Sequence, residues 1–376
     1  MLNTLFFIES LTGGGAEKVL LNLVNAMDRR RFAITVQTLY PEEAGKHLAQ
    51  GIRYRYCYPE KNPANELRMR LEAALGLTYP LHIRDDYDIE IAYLECGSTK
   101  IMAGSTNKNA LKLAWVHCDL AKKADDPAAF ARETAKYYRK YDKIVCVSED
   151  VQRSFAQMYP DAPKPVVVYN CYDDAEILHK ASAPTPCVCK RRKTGVAVGR
   201  LTAQKAFDRL LHAQKLLRSD GIDFDLWILG EGDDRTVLEK FISDNDLSDS
   251  VKLWGFQQNP YPFIKAADFL ICSSRYEGFS TVAVEGLILG IPMVTTDCTG
   301  MRELLGDSEY GLITANDDEA LYQGLKRMLT EPGLLERYAE KARIRGRDFR
   351  QETLVRETEE FFLTEYAAKT EKVHGR

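Results

Sequence analysis

The sequence lacks a hydrophobic run of membrane-spanning length. No stretch approaches the ~18 uninterrupted apolar residues that a transmembrane helix needs. The opening residues MLNTLFFIES carry no basic segment, and their apolar run stops at Glu9. This pattern predicts a first strand rather than a signal peptide. The formal net charge is only −4, so the overall charge gives no argument for a nucleic-acid partner. We expect a cytoplasmic protein.

The sequence also lacks the usual cysteine patterns. Its nine cysteines include no CxxC motif, and the single close pair, Cys187 and Cys189, has no second pair to complete a zinc site. An odd, scattered set is typical of a reducing cytoplasm. Two Asp-x-Asp sequences, at 86–88 and 223–225, precede predicted strands, which is the wrong edge for a metal–nucleotide site. We therefore predict neither a metal site nor a bound cofactor.

Short β-branched runs alternate with amphipathic stretches along most of the 376 residues. Strands are predicted at 4–8, 32–40, 51–57, 89–94, 111–117, 143–148, 165–170, 194–198, 224–229, 251–255, 269–274 and 292–297. Helices are predicted at 16–27, 66–75, 127–141, 149–158, 207–219, 234–244, 260–267, 281–289 and 316–330, with a helical tail at 332–370. This alternation is typical of α/β proteins with parallel, doubly wound sheets.

The alternation is interrupted once, by ASAPTPCVCKRRK at 181–193, which we interpret as a linker. The sequence therefore predicts two Rossmann-like domains, residues 1–180 and 194–345, with a cleft between them and a C-terminal helical segment at 346–376. Open α/β sheets bind ligands at the carboxyl ends of their strands. The loops that follow strands are the places to look for a site.

The first such loop is TGGGAEK, Thr12 to Lys18. Glycines such as Gly14 and Gly15 let a backbone approach a ligand closely, and the helix that follows offers free N–H groups to an anion. A tight strand–helix turn is the equally good alternative. The spacing does not give GxGxxG, which argues against a dinucleotide-dependent oxidoreductase.

The second loop lies in VGRLTAQKAFDRLLHA, residues 198–213. Arg200 and Lys205 follow a strand and precede a helix that begins near Phe207. A guanidinium fork and an ammonium group together suit the oxygens of a diphosphate. A solvated basic loop is the alternative when this segment is taken alone.

The third loop lies in RYEGFSTVAVEGLILGIP, residues 275–292. Glu277 follows a strand, and the next residues lead into a helix whose N-terminal N–H groups can face an anion. Glu285 stands within that helix among apolar residues, where an unpaired carboxylate would be costly. A carboxylate there can accept hydrogen bonds from two neighbouring hydroxyls, as on a ribose. An exposed helix residue is the alternative for Glu285.

His117 ends the apolar run LKLAWVH. A lone histidine is more often structural than catalytic. At the carboxyl end of a strand the two interpretations become equal, because a neutral imidazole can bond a substrate hydroxyl.

Taken together, these motifs resemble the retaining nucleotide-sugar glycosyltransferases of family 4 (GT4), which have the GT-B fold. The similarity spans most of the chain and is densest from 194 to 312. It rests on the order and spacing of VGRLTAQKAFDRLL, LWILGEGDD, VKLWGF, AADFLICSSRYEGFSTVAVEGLILGIPMVTTD and EYGLI, with the Glu-x7-Glu signature at Glu277 and Glu285.

The resemblance implies a role for each matching position. Arg200 and Lys205 would hold the donor diphosphate, Glu285 the ribose hydroxyls, and Glu277 the donor sugar. His117 would bond the transferred sugar. Backbone contacts to sugar, phosphate or acceptor would come from Gly14, Gly15, Gly278, Phe279, Ser280 and Thr281.

Three segments depart from the family pattern. Lys-Gly-Phe is Lys205-Ala206-Phe207 here, Asn-Gly-Val-Asp is NCYD at 170–173, and a Gly-Gly pair is Thr299-Gly300. The last change lies in a loop near the donor sugar, so the resemblance does not identify that sugar.

The resemblance implies a metal-independent, retaining transfer of a hexose or N-acetylhexosamine from a nucleotide sugar, with UDP favoured, to a hydroxyl acceptor. Analogy with the family favours bacterial surface polysaccharide or glycolipid synthesis. A nucleotide-sugar epimerase and a non-catalytic nucleotide-sugar binding protein of the same fold remain alternatives.

The acceptor is the least determined part of this interpretation, and both a soluble and a lipid-linked saccharide fit. Basic residues lie near three tyrosines in the first domain and could touch an anionic membrane surface. Ordinary solvated helices are the alternative. The residues concerned are Arg68, Arg70, Lys122, Lys123, Arg139, Lys140, Tyr137, Tyr138 and Tyr141.

Overall fold

The computed structural model describes residues 1–12, 14–184 and 192–374. These residues form two compact units, one made of residues 1–172 with 351–376 and the other of residues 173–350. Most of the predicted linker, including Cys187 and Cys189, lies outside the described residues.

The first unit is built on a seven-stranded sheet in the order β3-β2-β1-β4-β5-β6-β7. Its strands are β1 Leu2–Phe7, β2 Phe32–Thr38, β3 Arg53–Tyr56, β4 Ile89–Ala92, β5 Leu111–Val116, β6 Lys143–Cys146 and β7 Pro165–Val167. Its helices are α1 Gly15–Ala26, α2 Pro63–Ala74, α3 Thr78–His82, α4 Gly97–Met102, α5 Leu120–Lys123, α6 Pro127–Tyr138, α7 Glu149–Met158 and, from the chain's end, α16 Gln351–His374. The strands pair in parallel, so their carboxyl ends share one edge.

The C-terminal helix α16 completes the core of this first unit. The ring of Phe362 is fully buried and lies about 6 Å from three rings of the sheet: 6.1 Å from Phe6, 6.2 Å from Phe32 and 6.2 Å from Trp115. Aromatic groups of this size dominate the apolar area that a core removes from water. Helix α16 is therefore a structural part of the N-terminal unit.

The second unit has a six-stranded sheet in the order β10-β9-β8-β11-β12-β13. Its strands are β8 Thr194–Val198, β9 Asp225–Leu229, β10 Val251–Gly255, β11 Phe269–Cys272, β12 Met293–Thr296 and β13 Leu312–Thr314. Its helices are α8 Asp174–Lys180, α9 Phe207–Ser219, α10 Arg235–Asp244, α11 Tyr261–Ala266, α12 Thr281–Ile288, α13 Met301–Leu305, α14 Asp318–Thr330 and α15 Leu334–Gly346. Both sheets have the strand order of a Rossmann fold, which reverses direction after the first strand.

The predicted fold class, α/β with two Rossmann-like parallel sheets and a C-terminal helix, is confirmed. Two details differ from the sequence prediction. Helix α8 groups with the second unit, because it packs against α11 and α12. The predicted helical tail is two helices, α15 in the second unit and α16 in the first, separated by a 3₁₀ turn at Arg347–Phe349.

Candidate active site

Two loops of the second unit meet at the carboxyl edge of its sheet. Nζ of Lys205, beyond β8, lies 2.5 Å from Oε1 of Glu277, beyond β11. The two side chains are only 19% and 9% exposed. Because β8 and β11 are neighbours in the sheet, residues 72 positions apart in sequence form one buried ion pair.

Hydrogen bonds hold both partners of this pair in place. Ser274 Oγ donates to the same Glu277 oxygen at 2.6 Å, and Ser273 Oγ donates to the Lys205 carbonyl at 2.8 Å. Burial by itself would lower the pKa of Lys205, but the charge of Glu277 and its hydrogen bond to the lysine act together with weaker contributions to raise the pKa above the usual 10.5. Lys205 is therefore a fixed cation at neutral pH.

Gly199 and Arg200 shape the loop in front of Lys205. A Cβ added at Gly199 would lie 3.1 Å from Cδ and Cε of Lys205, so the glycine leaves room for the lysine stem. The Arg200 side chain is exposed and makes no hydrogen bond or ion pair within the described part of the chain. A second cation is thus available at the same strand end.

The loop from Gly278 to Thr281 leads into α12. Val284 N–H donates to the Ser280 carbonyl at 3.2 Å, the first such bond of the helix. Within the described residues the Ser280 side chain makes no capping hydrogen bond. The N–H groups of the first turn are therefore oriented for an anion, as at other helix N-termini.

Gly300 packs closely against the backbone of this loop. Its φ is +83°, and a Cβ there would lie 2.4 Å from the Gly278 carbonyl oxygen. Thr299 and Gly300 stand where the family has two glycines. Glycine is kept at position 300, the position whose positive φ favours glycine. Ala206, which replaces another family glycine, adopts the left-handed conformation with φ of 54°.

Glu285 is buried, which settles the alternative that it is an exposed helix residue. Glu285 is only 4% exposed, and Tyr261 Oη donates a hydrogen bond to Oε1 of Glu285 at 3.2 Å. Burial of Tyr261 raises the pKa of its hydroxyl, which therefore stays protonated and remains a hydrogen-bond donor. A carboxylate held in this way retains lone pairs for further hydroxyl groups.

His117 lies at the carboxyl edge of the first unit's sheet, directly after β5. Its ring lies 4.9 Å from the ring of Tyr93, and its backbone N–H donates to Oε2 of Glu95 at 3.0 Å. Nε2 is buried and has no hydrogen-bond partner among the described residues. Burial lowers the pKa of His117 to about 4, so the imidazole is neutral at pH 7.

Glu95 was not predicted as a site residue, yet it organises this edge. It is 4% exposed and accepts hydrogen bonds from Cys118 Sγ at 3.0 Å and Lys123 Nζ at 3.2 Å. Burial alone would raise the pKa of Glu95, but the Lys123 charge, the nearby His117 and the hydrogen bonds that Glu95 accepts together lower it below the usual value. Its place just after β4 was a usable signal, since every strand end was a candidate position.

Gly14 and Gly15 begin α1 in the first unit, with Gly14 as the N-cap. Glu17 folds back over this turn: a Cβ on Gly14 would lie 2.3 Å from its Oε2. Gly13 lies outside the described residues. A phosphate that approaches this N-terminus would meet the Glu17 carboxylate, so the role of this loop stays a prediction.

The predicted site residues thus fall into two groups. Arg200, Lys205, Glu277, the loop 278–281 and Glu285 lie in the second unit, and Gly14, Gly15 and His117 lie in the first. Among the residues that the structure describes, no three His, Cys, Asp or Glu side chains are grouped as metal ligands. The absence of a metal from the reaction stays a prediction.

Comparison with known proteins assigns each half of the chain to a family. The family described as Glycosyltransferase Family 4 matches residues 13–176, and Glycosyl transferases group 1 matches residues 189–345. A full-length relative is the N-acetylgalactosamine-N,N'-diacetylbacillosaminyl-diphospho-undecaprenol 4-alpha-N-acetylgalactosaminyltransferase of Campylobacter jejuni. It is 29% identical over 367 residues, which cover 95% of this chain and 98% of the relative. The lipopolysaccharide core biosynthesis glycosyltransferase LpsE of Rhizobium meliloti is 31% identical over 39% of this chain and 42% of its own.

Solved structures establish the fold independently. Sucrose-phosphate synthase from Thermosynechococcus elongatus superposes with a TM-score of 0.79 at 16% identity, covering 98% of this chain and 100% of that one. Anabaena HepE in complex with UDP-glucose gives a TM-score of 0.76 at 18% identity, covering 97% and 100%. With both halves matched in order and a relative aligned along its whole length, the chain belongs to family 4 of the glycosyltransferases and has the GT-B fold.

Proposed function

We propose that this glycosyltransferase moves a hexose or N-acetylhexosamine from a UDP-sugar to a hydroxyl group of a lipid-linked saccharide, without a metal ion and with retention of anomeric configuration. The observation that carries the proposal is the buried Lys205–Glu277 pair beside Arg200, which has no partner among the residues that the structure describes. It puts two cations and one carboxylate at the carboxyl ends of two neighbouring strands, β8 and β11.

The two cations suit the leaving group. As the bond from the sugar C1 to the diphosphate breaks, the diphosphate keeps the bonding electrons and its negative charge grows. Lys205 is already charged and held by Glu277, and Arg200 is free to turn toward the phosphates. A preorganised cation such as Lys205 stabilises the transition state without reorganisation during the reaction.

The carboxylates suit the two sugars of the donor. Glu285, held by Tyr261, would accept hydrogen bonds from the ribose hydroxyls. Glu277, held by Lys205 and Ser274, would orient the transferred sugar. The neutral His117 of the first unit, whose Nε2 has no hydrogen-bond partner among the described residues, is suited to bond a sugar hydroxyl.

The acceptor is proposed from the full-length relative. That protein's name describes a diphospho-undecaprenol saccharide as its substrate, and this chain aligns with 98% of it. We extend the same acceptor class, a saccharide on a polyprenyl diphosphate, to this chain. Such a substrate belongs to bacterial glycoconjugate synthesis.

The donor is tested by thermal shift with UDP, GDP, ADP and NAD. A ligand that binds only the folded state raises stability by RT ln(1 + [L]/Kd). We expect stabilisation by UDP that disappears in Arg200→Ala. Stabilisation by GDP or ADP instead would overturn the choice of base, and stabilisation by NAD would overturn the phosphate site.

The reaction is tested with UDP-hexoses and UDP-N-acetylhexosamines on a polyprenyl-diphosphate saccharide, with EDTA present. The proton NMR coupling of the new anomeric centre, compared with that of the donor, reports retention or inversion. Inversion, or activity lost in EDTA and restored by a divalent ion, would refute the corresponding part of the proposal. Conversion of the donor into a second UDP-sugar in the absence of acceptor would point to an epimerase.

A further inference from the structure

The structure corrects the expectation that a basic and aromatic segment of the first unit touches a membrane. None of the helices in the described part of the chain is long and apolar enough to cross a membrane. Tyr138 and Tyr141 of that segment are buried, at 1% and 5% exposure, and belong to the core. Lys123 is engaged by Glu95 at the carboxyl edge of the sheet. Lys123 therefore belongs to the contacts that surround His117.

Glu95 fastens the segment that begins with His117. Its Oε2 accepts a hydrogen bond from the His117 backbone N–H at 3.0 Å. Its Oε1 accepts hydrogen bonds from Cys118 Sγ at 3.0 Å and from Lys123 Nζ at 3.2 Å. Because β4 and β5 are neighbours in the sheet, a carboxylate just beyond β4 fixes residues 117–123 beyond β5.

The backbone around Glu95 is arranged to hold this position. Cys96, the next residue, has φ of +68°, a conformation that residues other than glycine rarely adopt. Such strain persists only where the surrounding contacts hold the chain in place. A Cβ added at Gly97 would clash with the carboxylate of Glu9, which follows the neighbouring strand β1. The loop after β4 is therefore specified residue by residue.

The contacts around His117 pair its backbone and leave one ring atom open. Nε2 is buried and has no hydrogen-bond partner among the described residues. The ring lies 4.9 Å from that of Tyr93 and 6.4 Å from that of Trp115, and both of these side chains are buried. A buried polar atom without a partner is costly. A sugar hydroxyl would supply the missing hydrogen bond.

The second unit uses the same arrangement. There Glu277, beyond β11, fixes Lys205 beyond the neighbouring strand β8. In each unit a buried glutamate that follows one strand holds a residue suited to substrate binding after the next strand. Groups fixed in this way need no reorganisation when the substrate arrives. Glu95 therefore belongs to the site of its unit and not only to its core.

We propose that Glu95 is a positioning residue, which holds His117 at the carboxyl edge of the first sheet with Nε2 open to a sugar hydroxyl. Glu95 acts through His117 and needs no contact with the sugar. The proposal rests on the proposed function, in which His117 bonds such a hydroxyl.

The position of His117 is measured without substrate, by NMR of protein labelled with ¹⁵N-histidine. The ring signals of His117 are assigned by their loss in His117→Gln. We expect Glu95→Gln to shift or broaden these signals. The matched control is Glu72→Gln, a buried glutamate of the same unit that lies 2.7 Å from Nε2 of His82. It should move the signals of His82 and leave those of His117 in place.

A double-mutant cycle tests whether Glu95 acts through His117. Glu95→Gln should lower the initial rate of sugar transfer by about 10²-fold, the loss that a displacement of about 1 Å can cause. Added to His117→Ala, it should cause little further loss. Losses that multiply would show that Glu95 acts independently and would overturn the proposal. Glu72→Gln should transfer at the wild-type rate, and circular dichroism should show every variant folded.

Lys123→Gln is the milder variant if Glu95→Gln does not fold. The lysine side chain is 47% exposed, and its loss leaves Glu95 with its other two donors. This change should move the His117 signals and slow transfer by a smaller factor. Unmoved His117 signals in the folded variants would overturn the proposal even if the donor or acceptor proves different. A wild-type rate in His117→Ala would remove the role of His117 and the positioning role with it.

Discussion

The Lys205–Glu277 pair gives the most informative single perturbation, Lys205→Ala. The change leaves a carboxylate that is 9% exposed with the Ser274 hydroxyl still bound but without its cation. Breaking a buried ion pair costs about 3–5 kcal/mol. Because the lysine is 19% exposed, we expect the lower end, about 3 kcal/mol. At about 2–4 °C for each kcal/mol, this corresponds to a Tm lower by about 6–12 °C.

The same change should also slow catalysis. If Lys205 neutralises the leaving diphosphate, its loss should lower kcat by about 10²–10³, as for other single donors to a developing negative charge. The assay is initial rate at saturating donor, with the UDP-sugar that the wild-type protein turns over. It is run well below the Tm of the variant, so that the protein remains folded.

A double variant separates the two effects. Lys205→Met with Glu277→Gln removes both charges and keeps similar volumes, so most of the lost stability should return while turnover stays low. Lys205→Arg keeps the charge but changes its geometry and should be intermediate in rate. Wild-type turnover in Lys205→Ala or in the double variant would refute the assignment and leave the pair a purely structural contact.

Further predictions concern the other site residues. Burial lowers the pKa of His117 from 6.5 to about 4, so between these pH values the unfolded chain binds a proton that the folded chain does not. The free energy of unfolding should therefore fall by up to about 3 kcal/mol as the pH drops from 6.5 to 4. Urea titrations of His117→Gln should show a smaller fall. Gly300→Ala should lower both Tm and kcat, because the added Cβ would clash with the Gly278 carbonyl. The control is Gly333→Ala, where φ is +74° and no described atom lies within 4 Å of the added Cβ. This control should lower the free energy of unfolding by only about 1–2 kcal/mol and leave kcat unchanged. Glu285→Gln should raise the Kd for UDP by about tenfold or more in calorimetric titration, since hydrogen bonds to charged groups contribute about 1.5–3 kcal/mol; an unchanged Kd would remove Glu285 from the ribose site.

Sequence reasoning succeeded where the signal is local. All seven strands of the first sheet and five of the six in the second were predicted, because β-branched runs between amphipathic segments report burial directly. The element it missed, β13, is a three-residue strand at Leu312–Thr314, too short to show a period. The short helices α3, α4, α5, α8 and α13 were missed for the same reason.

Sequence reasoning placed candidate site residues in both units, and the roles of those residues stay predictions. Lys205 and Glu277 were identified from separate loops, each with an ordinary alternative, and their direct contact follows from the adjacency of β8 and β11. Glu95 lies just beyond β4, at a candidate position, but it was missed because the residues around it form no motif that distinguishes it from a surface acid. Its importance comes from contacts with His117 and Lys123, both more than twenty positions away.

The sequence by itself determined the succession of strands and helices and the order of motifs that reveals the family, since both are properties of the chain read in order. Only the tertiary structure decided which side chains meet and which faces stay exposed. The burial of Tyr138, the outward leucines of α2 and the inward Glu72 all depend on packing partners distant in sequence. Helical spacing places residues on one side of a helix but does not say whether that side faces the core or the solvent.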